Sequence, residues 1–211
     1  MRLVLDWDGT VTEVDSLHLV LERFGDVDVY RRVEESLGRS LTLHEVIAVE
    51  FETVRAPLDE VVEFLLDVVR IRAGFRELVE RHQPVVVSAG FYELIEPVLA
   101  REGVEVELVA NRVDPRPEGW RVCFRDEAAC ADCGEACKRA ALPEGEVVYV
   151  GDGYSDRCAA LRADRVFARD ALARYLDARG MPYEPFEDLH DVTSALVLPT
   201  RPPAAVRQRK T

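Results

Sequence analysis

No apolar run in this sequence approaches the roughly 20 residues that a helix needs to cross a bilayer, so a membrane-spanning helix is excluded. A secretory signal is also missing, because the chain passes from Met1 almost directly into the strand-like run Leu3-Val4-Leu5, and cytoplasmic residence is the expectation. Positive charge is scarce. Against 40 acidic residues there are 27 basic ones, and the net charge of −13 disfavours nucleic acid or an anionic membrane as partner. The four histidines, His18, His44, His82 and His190, are scattered and form no HxxxH pair, which removes the usual histidine ligand set for a catalytic metal. Internal repeats and low-complexity segments are absent too.

What is present is a chain of 211 residues, 48% hydrophobic, enough for one sizeable core and a small appendage. The run Leu3-Val4-Leu5 reads as a buried strand and delivers Asp6-Trp7-Asp8-Gly9-Thr10 at its carboxyl end, the end at which open α/β sheets bind ligands. Alternation along extended backbone lets Asp6 and Asp8 aim at one point while Trp7 turns away. The plain alternative is a solvated Asp-Gly turn. A second acidic pair in the same local setting argues against it: Val147-Val148-Tyr149-Val150 leads into Gly151-Asp152-Gly153-Tyr154-Ser155-Asp156, ahead of a helical stretch over 157–163. Carboxylates held this close need a cation or a shared proton, and oxygen-only ligands favour Mg²⁺. Between the two lies Pro84-Val85-Val86-Val87-Ser88-Ala89-Gly90, followed by a helical pattern over 91–99. A Ser hydroxyl with backbone N–H groups at a helix start is either a phosphate seat or a simple N-cap.

Helical periodicity without a convincing strand runs from about Asp15 to Arg70, punctuated by Gly25, Gly38 and Pro57. From Ala73 onward strands alternate with helices, with strands expected at 85–88, 104–111, 147–151 and 165–168. The expected fold is α/β: a Rossmann-like core with a parallel sheet flanked by helices, plus a small helical cap inserted after the first strand. The boundaries are 1–14 and 71–200 for the core, 15–70 for the cap and 201–211 for a basic, frayed tail.

Four of the five cysteines, Cys123, Cys130, Cys133 and Cys137, fall within fifteen residues, and Cys158 stands apart. The C-x2-C-x3-C core with Cys123 upstream has the ligand type of a structural Zn²⁺ site, although no second CxxC accompanies it. Reduced thiols packing a loop are the alternative, and a disulfide fits a cytosolic chain poorly.

The ordered set Asp6-Trp7-Asp8-Gly9-Thr10, Ser88, Lys138 and Gly151-Asp152 with Asp156 resembles the motif series of the haloacid dehalogenase superfamily of aspartyl-phosphate phosphotransferases. Within it the chain is similar to the phosphoserine-phosphatase-like branch, and there to the enol-phosphate phosphatases of methionine salvage. That nearer likeness rests on Thr10-Val11-Thr12-Glu13 leading to Asp15, on Ile71 to Glu77, on Cys133 to Lys138 and on Phe167-Ala168-Arg169-Asp170. It departs from that pattern in its cysteine spacing and in Arg139-Ala140 after Lys138, where a proline is missing. The resemblance implies a Mg²⁺-dependent phosphomonoesterase acting on a small phosphorylated metabolite, as monomer or homodimer. It makes Asp6 the nucleophile and Asp8 the general acid and base. Thr10, Ser88, Gly90 and Lys138 would hold phosphate, and Asp6, the backbone carbonyl of Asp8 and Asp152 would hold metal, supported by Asp156. Asp15 corresponds to an acidic substrate-binding position, or alternatively caps the helix beginning at Ser16. Methionine-salvage enol phosphate and phosphoserine compete as substrates, and a catalytically silent binding protein on the same fold is the reading from a different class.

Overall fold

The computed structural model describes residues 1–197. The basic stretch 201–211 and the last residues of the expected core, 198–200, lie outside the described residues. Strand β1 (Arg2–Leu5) is followed by four helices, α1 (Ser16–Phe24), α2 (Val27–Glu34), α3 (Leu43–Phe51) and α4 (Leu58–Val68). Then come α5 (Phe75–His82), β2 (Val85–Phe91), α6 (Tyr92–Glu102), β3 (Glu107–Asp114) and β4 (Arg121–Cys123). After a 3-10 turn at Lys138–Ala141 the chain continues through β5 (Val147–Gly151), α7 (Arg157–Arg162), β6 (Arg165–Ala168), α8 (Asp170–Asp177), β7 (Glu184–Pro185) and α9 (Leu189–Val197).

Among the described residues seven strands form one sheet in the order β4-β3-β2-β1-β5-β6-β7. Every neighbouring pair is parallel except β3 with β4. Sheets of this kind are covered on both faces, which is why the central strands are unbroken apolar runs. Leu3, Val4 and Leu5 of β1 and all of β5 are buried, and burial of each large aliphatic side chain contributes about 1.5–3 kcal/mol. The register Leu5↔Val150 places Asp6 beside the end of β5, where its amide donates to the Val150 carbonyl at 2.9 Å. Both acidic segments therefore leave the sheet side by side. Trp7 turns into the core, almost fully buried and edge-on to Phe75 at 6.2 Å between ring centroids.

Residues 16–68 are helical, with the breaks where Gly25, Gly38 and Pro57 stand: Gly25 ends α1, Gly38 lies in the α2–α3 turn and Pro57 precedes α4. Thr42 and Glu45 start α3 with a reciprocal capping box. This helical group packs on the sheet layer through Phe51, which meets Phe91 edge-on at 4.7 Å and stacks on Trp120 at 6.2 Å.

Three expectations are corrected. The strand expected at 104–111 runs from Glu107 to Asp114, because pairing with β4 at Arg112, Val113 and Asp114 carries it beyond Asn111. The helix expected from Phe91 begins at Tyr92, and Ser88 is no N-cap: β2 continues to Phe91 past a register shift, paired there with Asn111, whose side chain also bonds the Ala89 carbonyl at 2.8 Å. The edge strands β4 and β7 have no counterpart in the sequence reading, being only three and two residues long.

Candidate active site

Asp6 is buried at the end of β1, where its Oδ1 accepts from the Lys138 ammonium and from the Trp7 amide at 2.6 Å. Lys138, also buried, reaches across to Asp156 at 2.8 Å. Asp156 has no solvent exposure, and both of its oxygens are fully occupied. One accepts from Lys138 and from the Tyr149 hydroxyl at 2.7 Å, and the other accepts from the amides of Asp152 and Gly153, both at 2.9 Å. Burial works against ionisation of Asp156, but Lys138 and these hydrogen bonds outweigh it and hold the carboxyl below its usual range. Lys138 is shifted upward for the complementary reason: burial disfavours its charge, and the two carboxylates more than offset that.

Asp152 sits opposite Asp6. The Thr10 hydroxyl, expected at the phosphate, donates to Asp152 Oδ1 at 2.7 Å and so orients that carboxylate. The approach of the two segments requires glycine at position 9, whose φ is +75° and where a Cβ would lie 2.5 Å from Asp152 Oδ2. Oxygens of Asp6, Asp152 and Asp156 lie within 4.8 Å of one another. One ammonium cannot neutralise three such groups. Burial and then the neighbouring Asp156 charge push Asp6 well above the ordinary carboxylate range, and the same causes push Asp152 up to about 7. An all-oxygen donor set with surplus negative charge fits a hard divalent cation. Asp6 and Asp152 have the acceptor capacity to hold it, whereas Asp156 is already saturated.

Asp8 is held by the start of α1. Its Oδ1 accepts from both the amide of Ser16, at 2.8 Å, and the Ser16 hydroxyl. Burial first, then the Asp15 charge, raise it to about 7. Gly90 brings β2 against it: a Cβ there would stand 3.1 Å from Ser88 Oγ and 3.2 Å from Asp8 Oδ2, and the Gly90 amide donates to Ser88 Oγ at 2.8 Å. Ser88 and Lys138 line one cleft. Asp6, Asp8, Ser88, Gly90, Lys138, Asp152 and Asp156 are thus drawn together from four distant stretches of chain. The turn carrying Asp6 to Thr10 is tied down by the buried guanidinium of Arg72, which donates to the carbonyls of Gly9, Thr10 and Thr12 at 2.7, 2.8 and 3.2 Å. The roles of Arg72, Ser16 and Tyr149 have no signal in the sequence, since contacts to backbone carbonyls or between separate elements leave no local pattern.

Asp15 caps α1, accepting from the His18 amide at 3.0 Å, and its second oxygen stands 3.7 Å from the His18 ring. Glu34 of α2 approaches the same ring at 4.0 Å. Glu50, on α3, is 3% exposed, and its Oε1 has no hydrogen-bond partner among the described residues. Burial, with the charges of Glu34 and Asp15 behind it, pushes Glu50 up to about 8. Among the described residues His18 is the only ion-pair partner of these three carboxyl groups. Glu50 binds its proton more tightly folded than unfolded, so its contribution to stability is intact below about pH 4.5 and fades as pH rises through about 8. Relative to wild type, Glu50→Gln should therefore gain about 2 kcal/mol between pH 5 and pH 9, allowing for screening. That is about 5 °C in melting temperature. A pH-independent difference between the two proteins in thermal melts would refute the assignment.

The thiols are partly regrouped. Sγ atoms of Cys130, Cys133, Cys137 and Cys158 lie within 4.8 Å of one another. Cys123 is not among them: it is fixed on β4 by its pairing with Arg112, and Cys158 of α7 takes the fourth place expected for it.

Comparison with known proteins places this geometry. Residues 3–161 match the haloacid dehalogenase-like hydrolase family. A 2-hydroxy-3-keto-5-methylthiopentenyl-1-phosphate phosphatase from Geobacillus kaustophilus is 31% identical over 92% of this chain and 94% of its own length. An enzyme of the same name from Exiguobacterium is 29% identical over 92% of this chain and 95% of its own. Among solved structures, a substrate-bound phosphoserine phosphatase complex superposes with a TM-score of 0.66 at 16% identity, covering 92% of this chain and 97% of that one. The phosphoserine phosphatase of T. onnurineus gives 0.61 at 23% identity, covering 92% of each chain. Among the described residues no helix is long and apolar enough to cross a membrane. With its strand-end carboxylates, buried lysine and parallel sheet, the chain belongs to the haloacid dehalogenase-like hydrolases.

Proposed function

We propose that the chain is a Mg²⁺-dependent phosphomonoesterase that hydrolyses a small phosphorylated metabolite through an aspartyl-phosphate intermediate on Asp6. The observation that carries this reading is the meeting of Asp6 with Lys138 and Asp156 beside Asp152 and Ser88. Asp6, the backbone carbonyl of Asp8 and Asp152 would hold Mg²⁺, which supplies charge neutralisation for the phosphoryl oxygens and the clustered carboxylates. Lys138 and Ser88 bind the phosphoryl oxygens and hold phosphorus in line with Asp6. Asp6 attacks, the ester bond breaks, and Asp8 gives its proton to the departing oxygen. A carboxyl group raised to about 7 is suited to that task near neutrality. Asp8 then takes a proton from the water that releases phosphate. Asp156 and Tyr149 keep Lys138 in place.

Helices α1–α4 serve as the cap. The loop after α2 rests on the core, with Gly38 against Tyr154, where a Cβ would meet the hydroxyl at 2.6 Å, and Leu43 donating to Glu135 at 3.3 Å. Closure there keeps bulk water from the phosphoryl group.

The leaving group lies on the side of Asp8, Asp15, Glu34 and Glu50. We favour as substrate the enol phosphate named for the curated relatives, which are 31% and 29% identical over 92% of this chain; phosphoserine, whose ammonium these carboxyl groups attract and whose carboxylate they repel, is the competitor. Assayed with Mg²⁺ against a panel of phosphate esters, the protein should turn over para-nitrophenyl phosphate and favour the enol phosphate over phosphoserine by tenfold or more in kcat/KM. Preference for phosphoserine would overturn the substrate assignment. Folded protein without any turnover across metals and pH would favour the silent alternative.

A further inference from the structure

The loop over 124–137 contains no buried residue, yet it ends at Lys138, one of the most buried charges in the protein. It contains no helix or strand, and its contacts outside the thiols lie towards its two ends: Phe124 stacks on His44 at 3.8 Å, the Arg125 amide donates to Asn111 Oδ1 at 3.1 Å, and Glu135 accepts from the Leu43 amide at 3.3 Å. Between those ends its thiols converge. Cys130, Cys133 and Cys137 gather around Cys158, which projects from the first turn of α7, and all four Sγ atoms fall within 4.8 Å of one another. The Cys130–Cys158 separation is 3.8 Å. A disulfide needs about 2.05 Å, and none of the five cysteines forms one. Four sulfurs at about 2.3 Å from a central zinc, at tetrahedral angles, stand about 3.8 Å apart. Backbone bonds shape the loop around this point: the Cys130 amide donates to the Glu135 carbonyl at 2.9 Å, and the Gly134 amide to the Cys130 carbonyl at 2.8 Å. Arg139, paired with Asp132 at 3.1 Å, sets a positive charge against Cys158.

We propose that Cys130, Cys133, Cys137 and Cys158 together bind one structural Zn²⁺ ion, distinct from the acidic site, which clamps the 124–137 loop to α7. Four thiols and Zn²⁺ give a tetrathiolate complex of charge −2 and release four protons, without any change of oxidation state. The consequence reaches the catalytic side through the chain itself. Cys137 immediately precedes Lys138, and Cys158 lies two residues beyond Asp156, so the clamp fixes both ends of the Lys138–Asp156 pair. The four thiolates act as positioning residues for that lysine. A loop of this length with no buried anchor would otherwise cost considerable conformational entropy to hold.

The test starts from metal content. Full-length protein purified under reducing conditions should carry one zinc per chain by elemental analysis. Cys158→Ser should lose at least nine-tenths of it, and Cys123→Ser should keep it. Wild-type protein stripped of metal and given Co²⁺ should develop the intense thiolate-to-cobalt absorption of a tetrahedral sulfur site, a measurement that stands even if a variant folds poorly. Stripping with a chelator, then restoring Mg²⁺ alone, should leave the loop open to trypsin at Arg125. One equivalent of zinc should restore both protection and turnover. Iron in place of zinc, zinc well below one per chain with no cobalt–thiolate band, or loss of zinc in Cys123→Ser but not in Cys158→Ser would each overturn the proposal.

Discussion

Asp6→Asn should lower turnover of para-nitrophenyl phosphate by at least about 10⁴-fold, in line with the loss seen when a covalent nucleophile is removed from an enzyme. Fold and melting temperature should change little. The amide keeps the shape of the side chain, and Lys138 retains Asp156 as its charge partner at 2.8 Å. The substitution also removes one of three crowded carboxylates, the one that burial first and then the charges of Asp156 and Asp152 push upward. We expect a stability change of less than about 2 kcal/mol, of either sign. Rates measured beside thermal melts decide the matter: turnover within tenfold of wild type, in protein that melts normally, removes Asp6 from the nucleophile's place.

Lys138→Met should damage both activity and stability. The ammonium is buried between Asp6 and Asp156, and its loss leaves two buried carboxylates facing one another. Removing one partner from a buried ion pair costs about 3–5 kcal/mol, or about 10 °C in a chain of this size. Turnover should fall at least about 10³-fold, because the phosphoryl oxygens lose their fixed cation. The sign of the pH dependence distinguishes this from loss of packing. Lys138 holds Asp156 below its usual range, so the stabilisation it confers is present at neutral pH and is lost as pH falls through the carboxyl range. The gap between wild type and variant should therefore narrow below about pH 4. A gap that stays the same size from pH 7 down to about pH 2.5 in denaturant titrations would mean that the methylene stem matters more than the charge.

The features legible in the sequence share one property: each is written in a short local pattern. Asp6 and Asp152 follow apolar runs that could only be buried strands, and the alternation after Leu5 correctly sends Trp7 inward. Glycine and proline marked the breaks of α1 to α4. The features that escaped are contacts between segments. Cys123 groups with its neighbours by proximity along the chain, whereas Cys158, twenty-one residues beyond Cys137, takes its place through the packing of α7 on the turn at Lys138. Glu50 sits in an α3 pattern that reads equally well as a solvated face, yet it is buried in the folded chain within range of the Glu34 and Asp15 charges. The length of β2 past Ser88 is set by β3, through Asn111, and not by its own residues. Lys138 is intermediate, recognisable by its order among the motifs and by nothing local.

The central claim is that Asp6 briefly carries the phosphoryl group, and it can be read directly in Asp8→Asn. That variant keeps the nucleophile but lacks the base that activates the hydrolytic water, while para-nitrophenolate departs without needing a proton. Mixing it with para-nitrophenyl phosphate and Mg²⁺, quenching in acid and reducing with borohydride should convert residue 6 to homoserine, the product expected of an acyl phosphate, as found by peptide mass mapping. Unmodified Asp6 after a stoichiometric burst of para-nitrophenolate, or the phosphoryl group on any other residue, would contradict the account.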